Sequence, residues 1–277
     1  MITNTCRSQA DTWTELFVIS DRSSITVDEG KVYSSLWGDN GSDRIVWLAQ
    51  RKDGFSSLQE DDFWKRARDK ELVIFVHGCC VSFNEMVDQS RGLCQGLDMH
   101  FPREKEPLLV AFDWATPKSY YPGSLKTMDT AQGRFDSFMD EIRAHVPDAK
   151  ISVVMHSLGG NMMVRYLCKR SRDGKASPSF KNLIFSRPDM PLEVFRHHLD
   201  EVANASNSTL ILAAHNDINI NLSGFMRSLG GMNQSSYRLG QIDSARELDG
   251  EVQVMDVSSL RLGHKIPYSL IGALLAP

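Results

Sequence analysis

The chain has 277 residues, 42% of them hydrophobic and 24% charged, enough apolar material to close a large α/β core. A formal net charge of −4 offers no general attraction to nucleic acid or to an anionic membrane, so neither partner is expected. Five cysteines without a C-x-x-C spacing exclude a disulfide framework, and the start MITNTCRSQADTW has no signal-peptide pattern. With no apolar run approaching the ~20 residues of a membrane span, a cytoplasmic protein without integral membrane association is the expectation.

Strands are predicted at WTELFVIS and DRIVWLAQR, separated by a polar loop containing Gly38, Asn40 and Gly41. ELVIFVHG is a continuous apolar run of the kind that lies inside a parallel sheet with both faces covered. In VSFNEMVDQSRGLCQGLDMHF, residues Phe83, Met86, Val87, Leu93, Cys94 and Leu97 recur at helical spacing. PLLVAFDW reads as the next strand. TAQGRFDSFMDEIRAHV then sets Phe135, Phe138, Met139, Ile142 and Val146 on one helix face. ISVVMHS is a strand followed by a helix, KNLIFSRP a strand, VFRHHLDEVANAS a helix and STLILAAHND a strand. The last unit is VQVMDVS, a loop through Gly263 and His264, and the apolar IPYSLIGALLAP, which suits a packed helix. Repeated βα units predict an α/β fold, a mostly parallel sheet flanked by helices on both faces with right-handed crossovers. No linker or repeat interrupts the pattern, so one domain over 1–277 is expected, with 223–247 as a candidate lid or pocket loop because SGFMRSLGGMNQSSYRLGQ is rich in Gly, Ser and Met.

The chemistry concentrates in ISVVMHSLGGNMMVRYL. This is a strand, a tight turn and a helix with Ser157 at the corner, an imperfect copy of the G-x-S-x-G nucleophile elbow. Gly159 supplies the small residue after the serine, and Met155 stands where another small residue is usual. A serine hydroxyl needs a base within hydrogen-bond reach, and the base needs a carboxylate to orient it. On such a sheet the chain order is serine, acid, histidine. His264 in RLGHKIP is the expected base. His197 and His198 read as solvated helix residues, His215 lies on a strand tail, and His156 reads as a packed turn residue pointing away from the serine. Asp217, ending STLILAAHND, is the first choice for the acid. Asp189 in SRPDMP is the alternative, able equally to bind substrate or cap a turn, and Asp113 in FDWATP is expected to shape the pocket wall. The amides of Leu158 and Cys79 are the candidate oxyanion donors. Cys80 stands next to Cys79, but adjacent cysteines chelate one ion poorly, and no H-E-x-x-H or comparable cluster is present. Neither a metal nor a cofactor is expected.

Taken together, FVHGCCVSFNEM, LLVAFDWATP, the stretch from Tyr121 through Asp129 to Ala131, MHSLGGN, SRPDMPLEVFRHHL, and the late SYRLG with GHKIPY resemble a bacterial family of α/β-hydrolases of unknown function. The similarity runs over roughly residues 12 to 268. It implies Ser157 as nucleophile, His264 as base, Asp217 as acid, and His77 and Gly78 leading into the oxyanion loop. The family typically has a small residue in place of Met155 and an aromatic one in place of Cys79. The expected activity is hydrolysis of a small-molecule carboxylic ester through an acyl-enzyme, with thioesters or activated amides as variants of the same chemistry. A catalytically silent α/β-hydrolase fold that binds a ligand or partner is the alternative, and Met155 is its argument.

Overall fold

Five of the apolar runs are buried along their whole length, and strands so covered can only lie side by side within a sheet that has helices on both faces. A computed structural model describes residues 14–22, 25–33, 46–51, 54–117, 123–229, 237–248 and 250–277. In chain order its elements are β1 (Leu16–Ser20), β2 (Thr26–Asp28), β3 (Lys31–Tyr33), β4 (Val46–Arg51), β5 (Gly54–Ser57), α1 (Glu60–Ala67), β6 (Leu72–Val76) and α2 (Phe83–His100). There follow β7 (Leu108–Asp113), α3 (Gly123–His145), β8 (Ile151–His156), α4 (Gly159–Arg172), β9 (Asn182–Ser186), α5 (Leu192–His197) and α6 (Leu199–Ala203). The last are β10 (Thr209–Ala213), α7 (Ile218–Leu229), α8 (Ile242–Ala245), β11 (Gln253–Asp256) and α9 (Tyr268–Leu275).

Nine strands form one sheet in the order β11-β10-β9-β8-β6-β7-β1-β4-β5. All pairings are parallel except those of β4, which runs antiparallel to β1 and β5. The expected mostly parallel α/β architecture is therefore the observed one. Alternate residues of each strand feed two cores. Val153 and Met155 of β8 join Phe135, Phe138 and Met162 on the α3 and α4 face, while Val154 joins Met86, Leu93 and Ile271 on the α2 and α9 face. Two details differ from expectation. VFRHHLDEVANAS is two short helices meeting at His198, whose φ of −115° breaks the helical run. The short β2, β3 and β5 and the helix α1 are elements without a strong apolar run in the sequence. The loop with Gly38, Asn40 and Gly41 lies outside the described residues. No described helix is long and apolar enough to cross a membrane.

The parallel strands β6 to β11 all end at the same edge of the sheet, so the loops that follow them converge there, in the crevice where open α/β sheets place their ligands. Two of those loops are bound to each other through their helices. Helix α2, which follows β6, begins with a capping box in which the Ser82 hydroxyl accepts the Glu85 amide and the Glu85 carboxylate accepts the Ser82 amide, holding the Glu85 carboxyl below its usual range. Helix α9, which follows the His264 loop, crosses α2 with backbone against backbone. A Cβ on Gly96 would overlap the Tyr268 carbonyl, and one on Gly272 would overlap the Gly96 carbonyl oxygen.

Candidate active site

Ser157 sits at φ +52°, the left-handed region that a side chain adopts only under constraint, and its amide donates to Ser186 O on β9 at 3.1 Å. This is the strained corner expected of an elbow. Two glycines make it possible. A Cβ on Gly78 would stand 2.8 Å from the Ser157 Cβ, and a Cβ on Gly159 would stand 2.5 Å from the Val76 carbonyl oxygen. Met155 does not obstruct the turn, because it is fully buried in the core beneath α4, and the close approach to β6 is made by Gly159. Leu158 starts α4, so its amide is at the positive end of a helix of 14 residues.

The loop after β6 is held from both ends. His77 is fully buried and donates from Nδ1 to Gly78 O at 2.8 Å, while the Trp114 indole donates to His77 O at 3.0 Å. Val81 donates its amide to Thr116 Oγ1 at 3.0 Å, and its carbonyl accepts from the same hydroxyl at 2.7 Å and from Arg22 at 3.1 Å. Arg22 grips Asp113 through Nε at 2.8 Å and Nη2 at 2.9 Å with both side chains buried. Burial alone would raise the Asp113 carboxyl, but the Arg22 charge, with hydrogen bonds from His77 and Arg22, outweighs it and holds the group at about 2. Asp21, alongside, has no such grip. Its burial, offset in part by the Ala115 amide and Arg134 and reinforced by the Asp113 charge, raises it to about 6. Through Arg22, Asp113 thus anchors the loop after β6 from behind.

On the other side of Ser157, His264 Nδ1 lies 2.7 Å from Asp217 Oδ2. Asp217 is fully buried, its Oδ1 accepts the Ile220 amide at 3.2 Å, and the Arg187 guanidinium stands 3.5 Å from its Oδ2. Arg187 is buried too, at a left-handed φ of +48°, and burial lowers its affinity for a proton against the opposing pull of Asp217. Asp189, the other candidate acid, also borders the cavity but turns its carboxylate elsewhere. It accepts from Arg238 Nε at 2.8 Å and from Ser223 Oγ at 2.8 and 2.9 Å.

His156 departs from expectation. It is buried, but it does not point away. Its Nε2 donates to the His264 carbonyl at 2.9 Å, and the two rings lie 4.7 Å apart, centroid to centroid. Burial, then the proximity of His264, lowers its pKa well below the ordinary histidine value, so it is neutral and its buried Nδ1 has no partner among the described residues. His156 and Arg187 are the residues that sequence reasoning missed. His197 and His215 are exposed, the latter beside Asp243 and Asp256, and His198 is half-buried.

Ser157, His156, His264, Cys79 and Cys80 open on one cavity of about 780 Å³ whose walls include Val81, Ile220, Leu222, Leu262 and Ile266. Of the candidate lid, residues 230–236 lie outside the described residues, and the part from Tyr237 onward is fastened down. The Leu239 amide donates to Met190 O at 2.9 Å, the Ala214 amide to Gly240 O at 3.0 Å, and Leu239, Ile242 and Leu248 are buried.

A family model described as "Alpha/beta hydrolase of unknown function (DUF900)" matches residues 56–269. Comparison with curated proteins gives no match. Among solved structures, the chain is similar to carboxyl esterase 2 of the mycorrhizal fungus Tuber melanosporum, at 14% identity over 83% of this chain and 81% of that one with a TM-score of 0.45. It is also similar to TT1662 of Thermus thermophilus, at 12% identity over 83% and 91% of the two chains with a TM-score of 0.47. An esterase of Pyrobaculum calidifontis matches at 15% identity over 77% and 70% with a TM-score of 0.37. Likenesses this distant carry no argument about chemistry.

Proposed function

Since the chain belongs to the family of α/β hydrolases of unknown function whose model it matches over residues 56–269, we propose that it is a serine hydrolase acting on a carboxylic ester. The observation that carries this reading is the 2.7 Å hydrogen bond between His264 Nδ1 and buried Asp217, made at the rim of the cavity that also holds Ser157 in its strained corner. Asp217 fixes the tautomer that leaves His264 Nε2 as the base and stabilises the imidazolium once it forms. Ser157 Oγ attacks the acyl carbon as His264 takes its proton. The Leu158 and Cys79 amides receive the oxyanion, His264 returns the proton to the departing alcohol, and water releases the acyl group by the same route. The apolar walls favour an ester with an apolar acyl or alcohol part. Thioesters and activated amides fit the same apparatus.

The silent-fold alternative rests on Met155; against it speaks that Met155 lies in the core while Ser157 keeps a φ of +52°. A fluorophosphonate probe tests the proposal directly. Labelling mapped to Ser157, together with turnover of p-nitrophenyl esters across a chain-length series, is expected. An unlabelled Ser157 in folded protein would overturn it.

A further inference from the structure

Two thiols stand side by side where the proposed oxyanion loop turns. Cys79 and Cys80 are half-exposed on the cavity wall, with their sulfurs 3.1 Å apart and the Cys80 thiol donating to the Cys79 sulfur. The backbone there is already unusual, since Cys80 has a left-handed φ of +61°. Among the described residues no group of three or more His, Cys, Asp or Glu is placed to hold a metal ion. What two touching sulfurs that open on a cavity can do is bond to each other. The other described cysteines are differently placed. Cys94 and Cys168 are buried in separate cores, and burial pushes their thiols up, that of Cys168 to about 11, which leaves them unreactive.

We propose that Cys79 and Cys80 form an oxidant-sensitive modification site that closes to a disulfide under a peroxide and thereby disables the oxyanion loop. The step balances with hydrogen peroxide as oxidant. One cysteine sulfur, giving up its proton, attacks a peroxide oxygen, the O–O bond breaks, and water leaves behind a sulfenic acid. The second sulfur displaces the hydroxyl from the first, its proton leaving with that hydroxyl as a second water. The two sulfurs together lose two electrons, and the peroxide gains them. Adjacent Cα atoms lie about 3.8 Å apart, nearer than the ~4.4–6.8 Å that disulfides usually span, so the product is strained and readily reduced. Reversibility follows from that strain.

The effect on the loop follows from its anchors. Upstream, Gly78 O is held by His77; downstream, Val81 is held by Thr116 and Arg22. With both flanks pinned, closing the ring can be accommodated only by turning the backbone of Cys79 and Cys80, which moves the Cys79 amide off the position where the oxyanion forms. The effect on turnover rests on the serine-hydrolase reading, whereas formation of the disulfide does not.

The test treats the full chain with hydrogen peroxide, blocks remaining thiols with iodoacetamide, and reads intact mass and peptide map beside p-nitrophenyl ester hydrolysis. The expected result is loss of two hydrogens and of two alkylation sites at Cys79 and Cys80, with turnover falling roughly 100-fold, as for loss of an oxyanion donor, and both returning with dithiothreitol. Cys80→Ser, scored as the ratio of its own treated and untreated rates, should show no recoverable loss. Continued alkylation of both cysteines after peroxide would overturn the site, and a disulfide formed with turnover unchanged would overturn the switch. Absence of hydrolysis even in the reduced chain counts against the hydrolase reading instead, and the mass shift then decides the dithiol site alone.

Discussion

Two carboxylates leave the same edge of the sheet one strand apart, Asp189 behind β9 and Asp217 behind β10, both buried and each beside a buried arginine. They differ in how that arginine is used. Arg238 bonds Asp189 through two nitrogens, and Ser223 bonds both of its oxygens, so the carboxylate is occupied in tying the segment after α7 to the sheet. Arg187 reaches Asp217 only at 3.5 Å, and the shortest bond of that carboxylate is the one to His264. Burial and position at a strand end are common to both. What distinguishes an acid able to serve a histidine from a structural one is how much of it the neighbouring guanidinium leaves unclaimed.

The strongest way to break this comparison is to remove the histidine hydrogen-bonded to Asp217. His264→Ala and Ser157→Ala should each cost on the order of 10⁴-fold in kcat/KM, and the double variant no more than the worse single, since members of a relay act as a unit. Multiplying losses would show that His264 works apart from the serine. Next in size, Asp217→Asn should lose about 10³- to 10⁴-fold, because an amide neither stabilises the imidazolium nor dictates the right tautomer. Asp189→Asn should instead appear in denaturant titration, losing about 3–5 kcal/mol through an uncompensated Arg238, while kcat/KM per folded molecule stays within about tenfold. A larger kinetic loss at Asp189 would transfer the acid role to it.

The same contrast recurs between Asp113, gripped by Arg22, and its neighbour Asp21, which is not. Held at about 2, Asp113 contributes stability that is complete above the ordinary carboxylate range and is lost as pH falls through about 2. Raised to about 6, Asp21 has the opposite sign: the folded state favours its proton, so stability declines as pH rises from about 4 to 6. Asp21→Asn keeps an oxygen for the Ala115 amide and should stabilise the protein by about 2–3 kcal/mol at pH 8, a gain that shrinks to nothing near pH 4. Thermal melts across that range read it, and a gain independent of pH would point to packing rather than charge.

The parallel strands are legible in the sequence because burial on both faces makes them continuous apolar runs, whereas β2, β3 and β5 are short and α1 is brief and strongly charged. The elbow could be found because its turn demands Gly159 next to a serine. The choice between Asp217 and Asp189 could not be made there, since it depends on which arginine, 30 or 49 residues distant in sequence, folds back onto which carboxylate. The burial of His156 in the turn was legible in the sequence, but its direction toward His264 was not. Ser157 takes a left-handed φ and His156 borders the same cavity as the serine, a placement that a regular strand pattern does not signal. Arg187 follows β9 with no pattern that marks it.

The glycine crossing of α2 and α9 separates what can vary in this molecule from what cannot. With Gly96 and Gly272 in backbone contact, neither position accepts a side chain without moving the helix that leads from the Cys79–Cys80 loop or the one that follows His264. The opposite wall of the cavity, Asn219, Ile220 and Leu222 on α7, carries no such constraint. Divergence toward new substrates can therefore proceed by re-lining α7 alone, and a library confined to those three positions should change chain-length preference while leaving the reactivity of Ser157 toward a small phosphonate intact.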